Sequence, residues 1–142
     1  MASIAVSSYG TLLKIGDGGG TEVFTTIGEV RDISGPALNV GTEEVTAHDG
    51  NGWREFIATL KEIGEISFEI NFNAAATQGF SSGLYNDASN KTKRNFQIVI
   101  PTTSAKTGSF TAIVTKFELT EPVEGVLRAS ITLQGTGALT WA

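Results

Sequence analysis

The sequence predicts a mainly β fold with one short helix, and three observations carry that prediction. The 142 residues include Thr 18, Ile 12 and Val 9 beside Gly 17, a strand-and-turn composition, because β-branched side chains prefer a pleated surface. Two segments alternate apolar and polar residues without a break. Glycine-rich punctuation separates several further short apolar runs. Charged residues are 18% of the chain and apolar residues 40%, a balance that argues against intrinsic disorder.

In chain order, Leu12 to Ile15 and Val23 to Thr26 flank Gly16-Asp17-Gly18-Gly19-Gly20, a loop that supplies the positive-φ positions a hairpin needs. A strand fits Glu29 to Ser34, ended by Gly35-Pro36. The stretch Val40 to Ile63 reads in two ways. Trp53, Phe56, Ile57 and Leu60 fit a helical stripe, yet Val45 to Phe56 equally fits two arms of a hairpin around Asp49-Gly50-Asn51-Gly52. The residues alone do not separate the two.

Glu65 to Asn73 is the clearest strand. Ile66, Phe68, Ile70 and Phe72 alternate with Glu65, Ser67, Glu69 and Asn71, so one face is buried and the other polar. A helix fits about 77–89, where Phe80, Leu84 and Ala88 recur at four-residue spacing. Asn95 to Ile100 is a strand stopped by Pro101. Ser109 to Thr120 is apolar on both sides, with Phe110, Ala112 and Val114 on one and Ile113, Phe117 and Leu119 on the other. Regular alternation there requires cover on both faces. In Val126 to Gln134, Leu127, Ala129, Ile131 and Leu133 alternate with polar residues. No repeat or linker divides the chain, so residues 1–142 are expected to form one domain.

Chemistry is constrained mainly by what is missing. With Cys 0 and His 1, thiol nucleophiles, zinc–thiolate sites and sites with two imidazoles fall away. The Gly16–Thr21 run lacks the third glycine of a dinucleotide-binding loop and leads into a strand, whereas a phosphate site needs a helix N-terminus. His48-Asp49 has no serine in a nucleophile elbow to serve. Asp49-Gly50-Asn51-Gly52 starts like a calcium loop, but Trp53 stands where an oxygen ligand belongs. Asn90-Lys91-Thr92 matches a glycosylation sequon without secretory context. No catalytic residue, metal or cofactor is expected, and the chain is read as non-enzymatic. A net charge of -5 disfavours phosphate binding, and Lys91, Lys93 and Arg94 read as a solvated loop. No apolar run approaches a membrane span of about 18 residues, which predicts a soluble protein made in a cytoplasm.

Surface composition is more telling. Trp53, Phe56 and Ile57 lie in a Gly-bounded stretch where loops are usually polar, so they either fold back onto the core or make a subunit contact, since exposed aromatic clusters mark interfaces. The runs Glu43-Glu44-Val45-Thr46-Ala47-His48-Asp49, Gly52-Trp53-Arg54-Glu55-Phe56-Ile57 and Gly64-Glu65-Ile66-Ser67-Phe68 resemble the long loop and following strand of major tail tube proteins. Those proteins belong to long-tailed, non-contractile, lambda-like bacteriophages. Ala129 to Leu133 and Thr136 to Trp141 resemble the same family's ending, so the likeness spans roughly Leu12 to Trp141.

The resemblance implies an antiparallel β-sandwich or barrel of the tail-tube type, with one short helix (about 77–89) and a long loop (about 42–60), and a structural virion protein. Its copies would form hexameric rings that stack into the tail tube, the conduit for DNA ejection. Implied partners are itself, the tape measure, tail tip and terminator proteins, and phage DNA passing without specific binding, with no membrane. The implied location is the virion tail, after synthesis in the bacterial host cytoplasm, with no C-terminal immunoglobulin-like domain. Val45, His48, Trp53, Phe56 and Ile57 become subunit or ring contacts, and Glu65, Ser67, Glu69 and Asn71 lumen-facing candidates. Six copies at -5 each would make an acidic ring. The alternative from another class is a carbohydrate- or receptor-binding β-sandwich module of a tail tip.

Overall fold

The computed structural model describes residues 5–73, 79 and 83–142. Nine strands and one helix follow in the order β1 Leu12–Gly16, β2 Phe24–Thr26, β3 Val30–Ser34, β4 Leu38–Glu44, β5 Phe56–Ile63, β6 Glu65–Asn71, α1 Leu84–Asn90, β7 Lys93–Ile100, β8 Lys106–Thr120 and β9 Arg128–Trp141 among the described residues. Seven form one antiparallel sheet, β2-β1-β7-β8-β9-β6-β3, while β4 and β5 pair only with each other. The mainly β, antiparallel fold with one short helix is as expected, built here from one seven-stranded sheet with a two-stranded hairpin beside it.

Period-two alternation explains the core. Leu13, Ile15, Phe96, Ile98, Phe110, Ala112, Val114, Ile66, Phe68, Ile70, Ala129, Ile131 and Leu133 are buried in one cluster, although they come from strands at both ends of the sheet. The sheet is therefore curved around that cluster. The N-terminal segment, β3 and the end of β7 share a groove lined by Tyr9, Ile33, Ile98 and Pro101. Burying side chains of this size contributes about 1.5–3 kcal/mol each.

Expectation fails most instructively in β8. Phe110, Ala112 and Val114 are buried, but the register with β9 slips between Val114 and Lys116. Val114 pairs with Leu133 and Lys116 with Thr132, so Thr115 is an extra residue. This bulge shifts the alternation by one, which returns Phe117 and Leu119 to the core side, where they pack against the cluster. Phe117 and Leu119 thus share the core face with Phe110, Ala112 and Val114 and need no second cover, while Ile113, before the bulge, stays on the opposite face. The bulged β-strand then receives the helix: Phe117 meets Tyr85 and Phe72 edge-on at ring distances of 5.3 and 5.7 Å.

Helix α1 is shorter than the stripe over 77–89 implied, covering Leu84–Asn90. Residues 77, 78 and 80–82 of that expected helix lie outside the described residues. The helix closes on Lys91 in the left-handed conformation (φ 59°), with the Thr92 N–H donating to the Asp87 carbonyl. Asp87 is wholly buried, and Arg94 Nε donates to both of its carboxylate oxygens at 3.0 Å. Reading Lys91, Lys93 and Arg94 together as a solvated loop is therefore wrong for Arg94. Its guanidinium ties α1 to β7, because a buried carboxylate needs a charged, hydrogen-bonded partner.

Candidate functional site

Two surfaces carry the residues singled out from the sequence. The first is the β4–β5 hairpin. The long loop assigned to 42–60 is corrected here: Leu38–Glu44 and Phe56–Ile63 are paired strands, with Glu43 opposite Ile57 and Glu44 opposite Phe56. The ladder reaches the tip through Val45 N–H to the Glu55 carbonyl at 2.8 Å. Glu55 N–H donates to Thr46 Oγ1 at 2.9 Å, and Gly50 N–H to the Ala47 carbonyl at 3.2 Å. Gly52 takes φ 89°, a backbone that a side chain would resist. These bonds build the turn around Asp49-Gly50-Asn51-Gly52 and exclude the helical reading of Trp53, Phe56, Ile57 and Leu60.

Val45, His48, Trp53, Phe56 and Ile57 are all exposed. Trp53 is 75% accessible and Phe56 56%. Leu38, Val40 and Leu60, which were not selected, are exposed on the same element. The alternating Leu38 and Val40 were the available signal. Register places Leu38, Val40, Ala58 and Phe56 on one face and Ile57 on the other, so apolar groups meet solvent on both sides. An isolated two-stranded hairpin is marginal in water. Among the described residues this one is rooted at its base, where Ile63 is buried, Gly64 N–H donates to the Ala37 carbonyl and Gln134 Nε2 of β9 donates to the Ile63 carbonyl. Gly135 makes room for that root, since a Cβ there would meet the Ile63 side chain at 2.7 Å.

The second surface is the polar face of β6. Glu65 and Ser67 are exposed, and Glu69 and Asn71 half-buried, opposite the buried Ile66, Phe68 and Ile70. Gly64 alone separates this strand from the hairpin. The four residues are not equivalent. Glu69 Oε1 lies 3.2 Å from Arg31 Nη1 on β3 and 3.9 Å from Arg128 Nε on β9. Asn71 Nδ2 donates to Glu29 Oε2 at 3.1 Å. On β8, Lys116 pairs with Glu118 at 3.3 Å. Between these charges Ser34, Ser67, Ser130 and Thr132 line a shallow depression. The face is mixed in charge around Glu69, because the neighbouring strands bring two arginines to it.

The Gly16–Thr21 loop closes the β1–β2 hairpin and leads into a strand, as its sequence implied. Asp17 Oδ1 accepts from the N–H groups of Gly19 at 2.9 Å and Val23 at 3.2 Å. Those two bonds, with a smaller contribution from Arg94, hold the Asp17 carboxyl below the usual aspartate range. Glu22 takes Gly18 N–H and Asn95 Nδ2, and Thr111 Oγ1 donates to Asn95 Oδ1. These polar groups pin the loop to β7 and β8. Among the described residues, no three His, Cys, Asp or Glu stand close enough to hold a metal ion, and no helix is long and apolar enough to cross a membrane.

One sheet with a detached, doubly apolar hairpin can now be set against known proteins. The phage tail tube protein family matches residues 5–141. The chain belongs to that family. No curated protein sequence matches it. Among solved structures, this tail tube protein is similar to the tail of an empty GTA particle at 23% identity and TM-score 0.76, over 97% of this chain and 99% of that one. It is also similar to a sheath/tube terminator of an extracellular contractile injection system, at 14% identity and TM-score 0.74, over 100% and 99% of the two chains. The SPP1 tail tube aligns at 13% identity and TM-score 0.65, over 92% of this chain and 75% of that one. The fold is thus the mainly β, antiparallel tail-tube fold with one short helix, and family membership gives the chain a structural tube role.

Proposed function

We propose that copies of this chain join into hexameric rings that stack into the tube of a long-tailed, non-contractile phage tail, and that DNA leaves the virion through it. The observation that carries the reading is the β4–β5 hairpin. It displays Leu38, Val40, Trp53, Phe56, Ile57 and Leu60 to solvent, more apolar surface than a free subunit keeps without a partner. Among the described residues the edges of β2 and β3 end the sheet without a neighbour, and pairing between copies would remove such open edges. Sixfold symmetry is supported by the GTA tail, whose structure was refined with C6 symmetry.

In this reading Val45, His48, Trp53, Phe56 and Ile57 meet the neighbouring subunit or ring. Glu65, Ser67, Glu69 and Asn71 face the channel. Other tail components, namely the tape measure, terminator and tip, cap or fill the tube, and the chain acts as one domain without enzymatic activity. The test is negative-stain microscopy and sedimentation of the purified protein across concentration. Sixfold rings or tubes of constant diameter are the expected result. A monomer at every concentration, even with the other tail components present, contradicts the proposal.

A further inference from the structure

The net charge of -5 is distributed unevenly. Between Leu38 and Ile63 stand Glu43, Glu44, Asp49, Glu55 and Glu62 against Arg54 and Lys61, so most of the excess negative charge sits on the hairpin. The polar face of β3, β6, β9 and β8 is different in kind. Its cations Arg31, Arg128 and Lys116 are each opposed by a carboxylate, the first two by Glu69 and the third by Glu118.

We infer that Glu69 and Glu118 mask a latent phosphate-binding surface: without them, Arg31, Arg128 and Lys116 would hold a nucleic-acid backbone that this face otherwise lets pass. The geometry is specific. The side chains of Arg31 and Arg128 are 39% and 41% exposed, so both stay partly open to solvent on either side of Glu69, which lines the depression with Ser67, Ser130 and Thr132. Arg128 is the less satisfied of the two. Its Nε is shielded from water, has no hydrogen-bond partner among the described residues, and faces Glu69 across 3.9 Å. Guanidinium groups bind phosphate oxygens through paired N–H donors, and each cation that neutralises a phosphate releases condensed counterions. A carboxylate on the same cations removes most of that attraction. Asp32 borders the depression, Glu65 is exposed on the same face of β6 and Glu29 is bonded to Asn71, so these carboxylates limit the attraction that remains when the masks are removed.

The functional consequence, a tube wall that does not retain DNA, rests on the channel-facing placement of this surface proposed above; the masking itself does not. The experiment uses the full chain and a short, fluorescent, mixed-sequence DNA duplex, with binding read by anisotropy across salt concentration. The double variant Glu69→Gln/Glu118→Gln should bind at least tenfold more tightly than the parent at low salt. Its plot of log affinity against log salt should steepen by about one to three, since up to three cations per copy are unmasked at a slope near 0.9 each. Adding Arg31→Gln, Arg128→Gln and Lys116→Gln should return binding to the parent level. Equal binding by parent and double variant overturns the inference, and so does strong binding that survives loss of the three cations. Cryo-electron microscopy of the assembled double variant reads the placement independently. A face on the outer wall defeats the channel reading, while the anisotropy result still decides the masking.

Discussion

Trp53→Ala separates an assembly residue from a core residue by magnitude. In the free subunit Trp53 is 75% exposed, and a Trp side chain offers up to about 200 Å² of burial. Covering the exposed share in an interface removes about 150 Å² from water, which at about 25 cal/mol per Å² sets an upper bound near 4 kcal/mol. Association costs reduce this, so assembly should weaken by about 2 kcal/mol or more, the hot-spot range. The share already covered within the subunit is about 50 Å², which limits the loss of subunit stability to about 1 kcal/mol. Phe56→Ala should behave in the same way on a smaller scale. Sedimentation across concentration reads the first quantity and urea unfolding of the subunit reads the second. A variant that loses several kcal/mol in unfolding yet assembles at the parent's concentration refutes the reasoning.

Three further predictions follow from other parts of the molecule. Asp87→Ala strands the Arg94 guanidinium and should cost about 3 kcal/mol in urea unfolding, the low end for a broken buried pair because Arg94 is 23% exposed; Asp87→Leu with Arg94→Met should recover most of it, and equal losses in both variants would show that the pair is not the cause. Deleting Thr115 and Lys116 together joins Val114 to Phe117, so plain alternation turns Phe117 and Leu119 away from the core at up to about 3–6 kcal/mol for two apolar side chains, whereas deleting Thr115 alone removes the bulge and keeps both facing the core at little cost; equal unfolding midpoints for the two deletions would contradict the bulge account. Asp17 titrates below the ordinary aspartate range, so its stabilising contribution is present above its unfolded pKa and is lost as pH falls through its lowered folded value. Carboxyl NMR of Asp17 should show that low midpoint, and an ordinary one would show that the Gly19 and Val23 bonds are not made in solution.

Strands with one clean face were legible because a two-residue period has one structural meaning. β6 and β9 show this directly, although β9 continues to Trp141, beyond the segment whose alternation was clear. The β8 bulge was not legible, since an inserted residue leaves the apolar residues in place and changes only their phase. The hairpin was ambiguous for a different reason. Its bulge opposes Thr59 and Leu60 to Gly41, and apolar groups occur on both faces, so Trp53, Phe56, Ile57 and Leu60 acquire helix-like spacing by coincidence. An element that presents apolar groups on both sides has no polar face to reveal its period. The charge pairs were hidden by topology: Arg31 and Arg128 are far from Glu69 in sequence, and only the order β9-β6-β3 brings them to either side of it.

The central claim, that the exposed hairpin is completed by another copy while the polar face of β6 lines a channel, is tested most directly by a cryo-electron microscopy reconstruction of assembled protein. The account predicts a sixfold tube in which Trp53 and Phe56 are covered by a neighbouring copy and Glu65, Ser67, Glu69 and Asn71 face the central channel. A tube whose hairpins remain in solvent, with β6 on the outer wall, would contradict it.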